Sequence, residues 1–145
     1  MSKSNAFETS FLNHIFKNLA IANIGDATGL PAAATAGNLY IGLHTADPGE
    51  AGDQSTSEAT FTSYARVAVV RGAGFTVSGN QVINAAAITF PQCTGGTNTI
   101  THFSVGTALS GAGNLLFKGA LAASLAVSNG IVVEIPASSM VITED

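Results

Sequence analysis

Charge is what this sequence has least of: 10% of its 145 residues are Asp, Glu, Lys or Arg, where an ordinary soluble domain carries roughly 25%. Gly, Ala, Ser, Thr and Asn stand in their place, which implies a neutral, polar surface. The five basic residues, Lys3, Lys17, Arg66, Arg71 and Lys118, are scattered against nine acidic ones. Neutralising a phosphate backbone takes clustered Lys and Arg, so a nucleic-acid partner is excluded. A single cysteine, Cys93, leaves no internal disulfide to form, and stability has to come from packing or association. No run of 18 apolar residues is present to cross a bilayer, and Glu8, Asn13, His14 and Lys17 interrupt what would be the apolar part of a signal peptide. The chain therefore reads as a soluble product of the cytoplasm, without a membrane partner. Tryptophan is absent and the phenols are limited to Tyr40 and Tyr64, a poor platform for stacking sugars.

Catalytic patterns are missing too. Neither the G-x-S-x-G nucleophile turn, the G-x-x-x-x-G-K-[ST] phosphate loop, the G-x-G-x-x-G dinucleotide turn nor H-E-x-x-H occurs. At this length one domain is expected, with one real core. No cofactor and no catalysis are expected, and an enzyme ranks behind the structural and binding roles below.

What is there is a helix followed by strands. Phe7, Phe11, Ile15 and Leu19 recur at four-residue spacing, with Leu12 and Phe16 widening the stripe, so a helix is expected from Asn5 to Ile24, stopped at Gly25. Asn5 with Glu8 three residues on resembles a capping box. The stripe serves equally a helix packed on its own domain and an arm docked on a neighbouring subunit. Residues 26–37 are rich in Gly, Pro and Ala and suit a loop.

Beyond Asn38 the texture is that of short strands: 39–45, 64–70, 74–78, 81–84, 87–90, 100–106, 114–119, 125–128, 131–135 and 140–143. In the first, Leu39, Ile41 and Leu43 alternate with Tyr40, Gly42 and His44, the period of a half-buried strand. Gly79-Asn80 and Asn129-Gly130 are two-residue hairpin turns. The stretch from Asp47 to Ser63 is long for a connection, hence functional or mobile. The pattern predicts an antiparallel β-sandwich, jelly-roll-like, over 26–145, preceded by an N-terminal helical arm over 1–25.

Candidate chemistry is thin. His44, His102 and Cys93 would make a metal or Cys-His site only if the fold brought them together; otherwise both histidines are half-exposed strand residues and Cys93 a small buried hydrophobe. Asp47, Glu50, Asp53 and Glu58 form an acidic cluster without the calcium-loop pattern, best read as a hydrated loop. Arg66, inside a strand, either pairs with Glu58 or lies at a subunit contact. From Gly72 to Val133 the one charged side chain is Lys118, and permanent interfaces are similarly depleted in Lys, Glu and Asp. Part of this neutral surface is expected to be covered by other protein. Phe7, Phe11, Ile15, Phe16, Leu19 and Arg66 are the candidate partner contacts.

Five blocks in fixed order, LYIGLHTADP (39–48), YARVAV (64–69), ITFP (88–91), ITHF (100–103) and GNLLFKGAL (113–121), resemble a family of small virion proteins of tailed bacteriophages. Members are often labelled tail fibre proteins, and similar small β-sandwich proteins decorate or cement phage heads. The resemblance implies a structural component of the virion, assembled in the host cytoplasm and without active-site residues. It leads us to expect a decoration or cement protein that bridges capsid subunits, with the major capsid protein or other virion proteins as partners and self-association to a homo-oligomer. A tail fibre or tail-tip subunit is the alternative, and a carbohydrate-binding module a further one.

Overall fold

A computed structural model describes residues 2–145. Helix α1 (Asn5–Lys17) precedes strands β1 (Asn38–His44), β2 (Val67–Val70), β3 (Phe75–Ser78), β4 (Gln81–Asn84), β5 (Ile88–Thr89), β6 (Asn98–Gly106), β7 (Leu115–Val127), β8 (Glu134–Ile135) and β9 (Val141–Thr143). The protein is mainly β, with antiparallel pairing and one helix among the described residues, as the sequence indicates. Two compact units divide it. The first takes Asn38 and the described residues before it, Val70–Ala87 and Pro136–Asp145; the second takes Leu39–Val69 and Ile88–Ile135.

In the first unit, α1 begins one residue earlier than its capping-box pattern indicates. Ser4 is the cap, its Oγ accepting from the Phe7 N–H at 3.4 Å, which moves Glu8 out of the box position. The helix also stops at Lys17, well short of Ile24. Asn18 turns left-handed (φ 57°), and its amide pairs twice with the backbone of Ala33, at 2.9 Å each way, drawing the chain off the helix axis. The Leu19 N–H closes back on the Asn13 carbonyl, a helix-ending bond. Arg71 completes the cap by donating to the carbonyls of His14, Ile15 and Ala36, placing a cation at the negative end of the helix.

Leu12 and Phe16 are fully buried, and the Phe16 ring meets Phe75 of β3 edge-on at 5.0 Å. Three strands in the order β3-β4-β9 complete this layer. The expected Gly79-Asn80 hairpin forms, with Ser78 opposite Gln81 and Gly79 at φ 59°. Asn84 is its buried polar hub, donating to Ala86 and Pro136 carbonyls and accepting from the Met140 N–H. Ser138 holds a left-handed φ of 62°, a conformation that favours glycine. Ser138→Gly is therefore expected to stabilise the protein by roughly 0.5–1 kcal/mol, read as a higher midpoint in urea.

The second unit holds a four-stranded sheet in the order β2-β1-β6-β7 and the short β5-β8 pair. β1 lies between two neighbours, and from Ile41 to His44 every residue is buried. Its alternation was expected to leave Gly42 and His44 half-exposed; instead a polar cluster covers that face. The 114–119 and 125–128 strands run as one, β7, broken where residues 121–124 bulge opposite Thr101. Asn129-Gly130 does make a tight turn, with the Ile131 N–H donating to the Ser128 carbonyl. No hairpin follows it, because the returning chain pairs elsewhere: Cys93 N–H to Ile131 O, Phe90 N–H to Val133 O, then Thr89 opposite Glu134.

Candidate functional site

Three of the six candidate contacts sit on α1 with partial or open exposure. Phe7 is 39% exposed and its ring lies 6.4 Å from that of Phe11; Phe11 and Ile15 are half-buried. Leu19, 51% exposed, stands beyond the end of the helix, where the Asn18 turn has placed it. Phe16 faces inward with Leu12 and belongs to the core of its unit. The apolar stripe thus splits: Leu12 and Phe16 point into the core of the unit, while Phe7 on α1 and Leu19 just beyond it stay exposed.

Arg66 lies in the second unit, its side chain 1% exposed, and it is bonded on every side. Nε and one terminal nitrogen grip the two oxygens of Glu58 at 2.6 and 2.7 Å, while the terminal nitrogens also donate to the carbonyls of Ala108, 2.9 Å, and Gly111, 2.7 Å. This is the fork-on-carboxylate pairing that Arg forms better than Lys. Glu58 in turn accepts from the Tyr64 hydroxyl at 3.0 Å, and that hydroxyl accepts from the Leu43 N–H at 2.9 Å. Burial pushes the Tyr64 phenol far above its ordinary value, so it stays a donor. Of the two readings of Arg66, the structure contains the pairing with Glu58.

Beside it, His44 is fully buried. Its Nδ1–H donates to the Thr56 carbonyl at 2.9 Å, which leaves Nε2 to accept from the Ser104 hydroxyl at 2.7 Å. Gly42 makes room for this: a Cβ there would stand 2.9 Å from Ser104 Oγ and 3.5 Å from both His44 Nε2 and the Tyr64 oxygen. A serine bonded to an oriented histidine has the form of an activated nucleophile, but Ser104 is fully buried like His44. Its work here is to hold β1 and β6 to the 45–58 stretch.

Gln54 extends the cluster. It is fully buried, its Oε1 accepts from the Ala108 N–H at 2.8 Å, and its Nε2 has no partner. It packs where Gly106 and Gly113 leave space, a Cβ on Gly106 falling 2.0 Å from its Cδ. Tyr64, Ser104 and Gln54 escape sequence reasoning because single Ser, Gln and Tyr residues carry no pattern. The usable signal was Gly42 within an alternating strand, which marks a close approach.

Residues 47–63 were expected to be functional or mobile, and they are closely tied. Thr45 N–H bonds Ser57 O, Glu58 bridges to His44, Thr62 bridges to Gly95, and Asp53 accepts from the N–H and hydroxyl of Ser55. Asp47 caps the Gly49 N–H and, with Glu50, meets Lys118 at 3.0 and 3.1 Å. These bonds hold the Asp47 and Asp53 carboxyls below their ordinary value.

His102 stands directly opposite His44 in the β1–β6 register, yet it is half-buried and bonded to Thr101. Cys93 is buried and donates to the Gly95 carbonyl. Among the described residues no group of three His, Cys, Asp or Glu side chains is placed to hold a metal ion. A surface cavity of about 360 Å³ opens over the ion pair, lined by Glu58, Tyr64, Ala65, Arg66 and the 109–111 loop.

Burial lowers the His44 pKa from its ordinary 6.5, outweighing the help of the Thr56 carbonyl. A histidine kept neutral by the fold stabilises it fully above the unfolded pKa. That contribution is lost as pH falls below 6.5 and levels off beneath the folded pKa. Urea midpoints measured from pH 7.5 to 5 are expected to fall in this window, and to fall less when His44 is replaced by Gln.

Residues 2–143 match the family model described as podophage GP4 fiber I protein gp80. No curated protein matches the chain.

Proposed function

The chain belongs to the podophage GP4 fiber I family, a family of structural phage proteins, and from that premise we propose that it is a fibre subunit of the particle, working by contact with other virion proteins rather than by chemistry. The observation that carries this reading is the match itself, which covers nearly all of the chain. The geometry agrees with it. The half-buried Glu58 and Tyr64 are bonded to buried Arg66, and buried His44 to buried Ser104, with further bonds to the backbone, the arrangement of a scaffold. The outward apolar residues, including Phe7, Leu19, Leu109 and Val132, are left to make contacts, and such side chains on a charge-poor surface suit permanent association.

Capsid decoration is the second reading. It is favoured by a sequence that carries neither coiled-coil heptads nor a shaft repeat. A decoration protein that binds only the assembled shell would stabilise it by mass action, and one bridging two capsid subunits would do so more strongly. Major capsid protein would then be its partner; in the fibre reading the partners are further copies of this chain and the tail. Gold-labelled antibody on intact particles separates the two. Label along the tail is expected, and label spread over the head replaces the fibre reading with decoration. A specific signal on a glycan array would bring forward the carbohydrate-binding module instead.

A further inference from the structure

We propose that His44 is an acid-sensitive latch: its protonation releases the 45–58 stretch from the β1–β6 pair. The geometry rests on one ring joining three segments. Nδ1–H is bonded to Thr56 of the stretch, the ring belongs to the end of β1, and Nε2 is bonded to Ser104 of β6. With the ring neutral and the proton on Nδ1, the Thr56 carbonyl accepts from one nitrogen and the Ser104 hydroxyl donates to the other. Adding a proton to Nε2 sets a donor against the hydroxyl that now donates to it, so Ser104 must turn its own proton away within a fully buried site.

The surrounding charges do not accommodate the new cation. On the 45–58 side stands Glu58, which favours protonation, but both of its oxygens are already taken by Arg66 and one also by Tyr64. From the segment before β2 comes Arg66 itself, and from β6 comes His102 directly opposite, each of which disfavours a charge on His44. The Tyr64 hydroxyl, close to the ring across Gly42, remains neutral. A buried imidazolium without a free counter-charge is costly, and the ring relieves it by moving to water. That movement gives up the Thr56 bond and leaves the stretch held by Thr45 to Ser57, by Gln54 to Ala108 and Ala112, by Glu58 to Arg66 and Tyr64, and at its exposed end by Asp47 and Glu50 to Lys118.

Hydrogen exchange on the full chain from pH 7.5 to 5 tests the latch, with rates corrected for the intrinsic pH dependence of exchange. Opening of the 45–58 amides is expected to rise by up to about tenfold per pH unit below 6.5, the slope of one bound proton, while amides of β3 and β4 keep their protection. His44→Gln supplies one donor and one acceptor that do not titrate, and its 45–58 amides should open equally at every pH. An opening slope that is flat in the unchanged protein, or the same in His44→Gln, overturns the proposal. Should His44→Gln not fold, NMR titration of the unchanged chain decides. The His44 ring and the 45–58 amides should shift together below pH 6.5, whereas a ring that titrates with no response from those amides, or stays neutral to pH 5, overturns it.

Discussion

Arg66→Ala is expected to cost about 3–5 kcal/mol of stability, because removing one partner of a buried pair strands the other. Four bonds disappear together: two to Glu58 and one each to the Ala108 and Gly111 carbonyls. Glu58, its side chain 19% exposed, recovers some hydration, which places the expected loss toward the lower end of that range. At this chain length the corresponding fall in melting temperature is on the order of 10 °C. Arg66→Lys keeps a positive charge but not the planar fork, so an intermediate loss is expected. Replacing Arg66 and Glu58 together by Met and Leu should recover much of the deficit, since no orphaned charge remains. Urea unfolding of these variants measures all three. If Arg66→Ala melts like the unchanged protein yet no longer enters particles, Arg66 is a partner contact and not an internal staple.

The sequence made the helix, most of the strands and the Arg66–Glu58 option legible because each rests on near neighbours. Phe7, Phe11 and Ile15 announce a helix by spacing, Gly79-Asn80 announces a hairpin by turn chemistry, and Glu58 stands eight residues from Arg66. What stayed hidden depends on distant partners. The early end of α1 follows from Asn18 pairing with Ala33, a contact that no propensity of residues 19–24 reports. The missing hairpin at Asn129-Gly130 has a related cause. The turn is local, but residues 131–135 find a better partner in 88–93, which lies far back in the chain. His44 looked half-exposed because alternation assumes one wet face, and nothing in LYIGLHT says that Tyr64, Glu58 and Ser104 cover the other. The first unit draws on three separate stretches of chain, so its outline has no boundary to leave in the sequence.

Substitution of Phe16 and of the pair Phe7 and Leu19 should behave in opposite ways, and the contrast tests how the N-terminal stretch serves both core and contact. Phe16 is fully buried against Phe75. Phe16→Ala removes most of a large apolar side chain and leaves a cavity where the aromatic pair stood, so a loss of about 3–5 kcal/mol is expected. Thermal melting should show it as a large drop, and incorporation into particles should fall with the folded fraction. Phe7 and Leu19, at 39% and 51% exposure, surrender little on mutation to Ser, within about 0.5 kcal/mol each as ordinary surface changes. If they contact a neighbour in the particle, the double variant Phe7→Ser/Leu19→Ser should melt normally and still fail to incorporate. An interface of this kind concentrates its energy in a few apolar anchors, so losing two of them is felt well beyond their share of area. Normal incorporation of the folded double variant would remove the helix from the contact surface. Leu109, Ile131 and Val132, exposed apolar residues of the second unit, would then be the ones to mutate next.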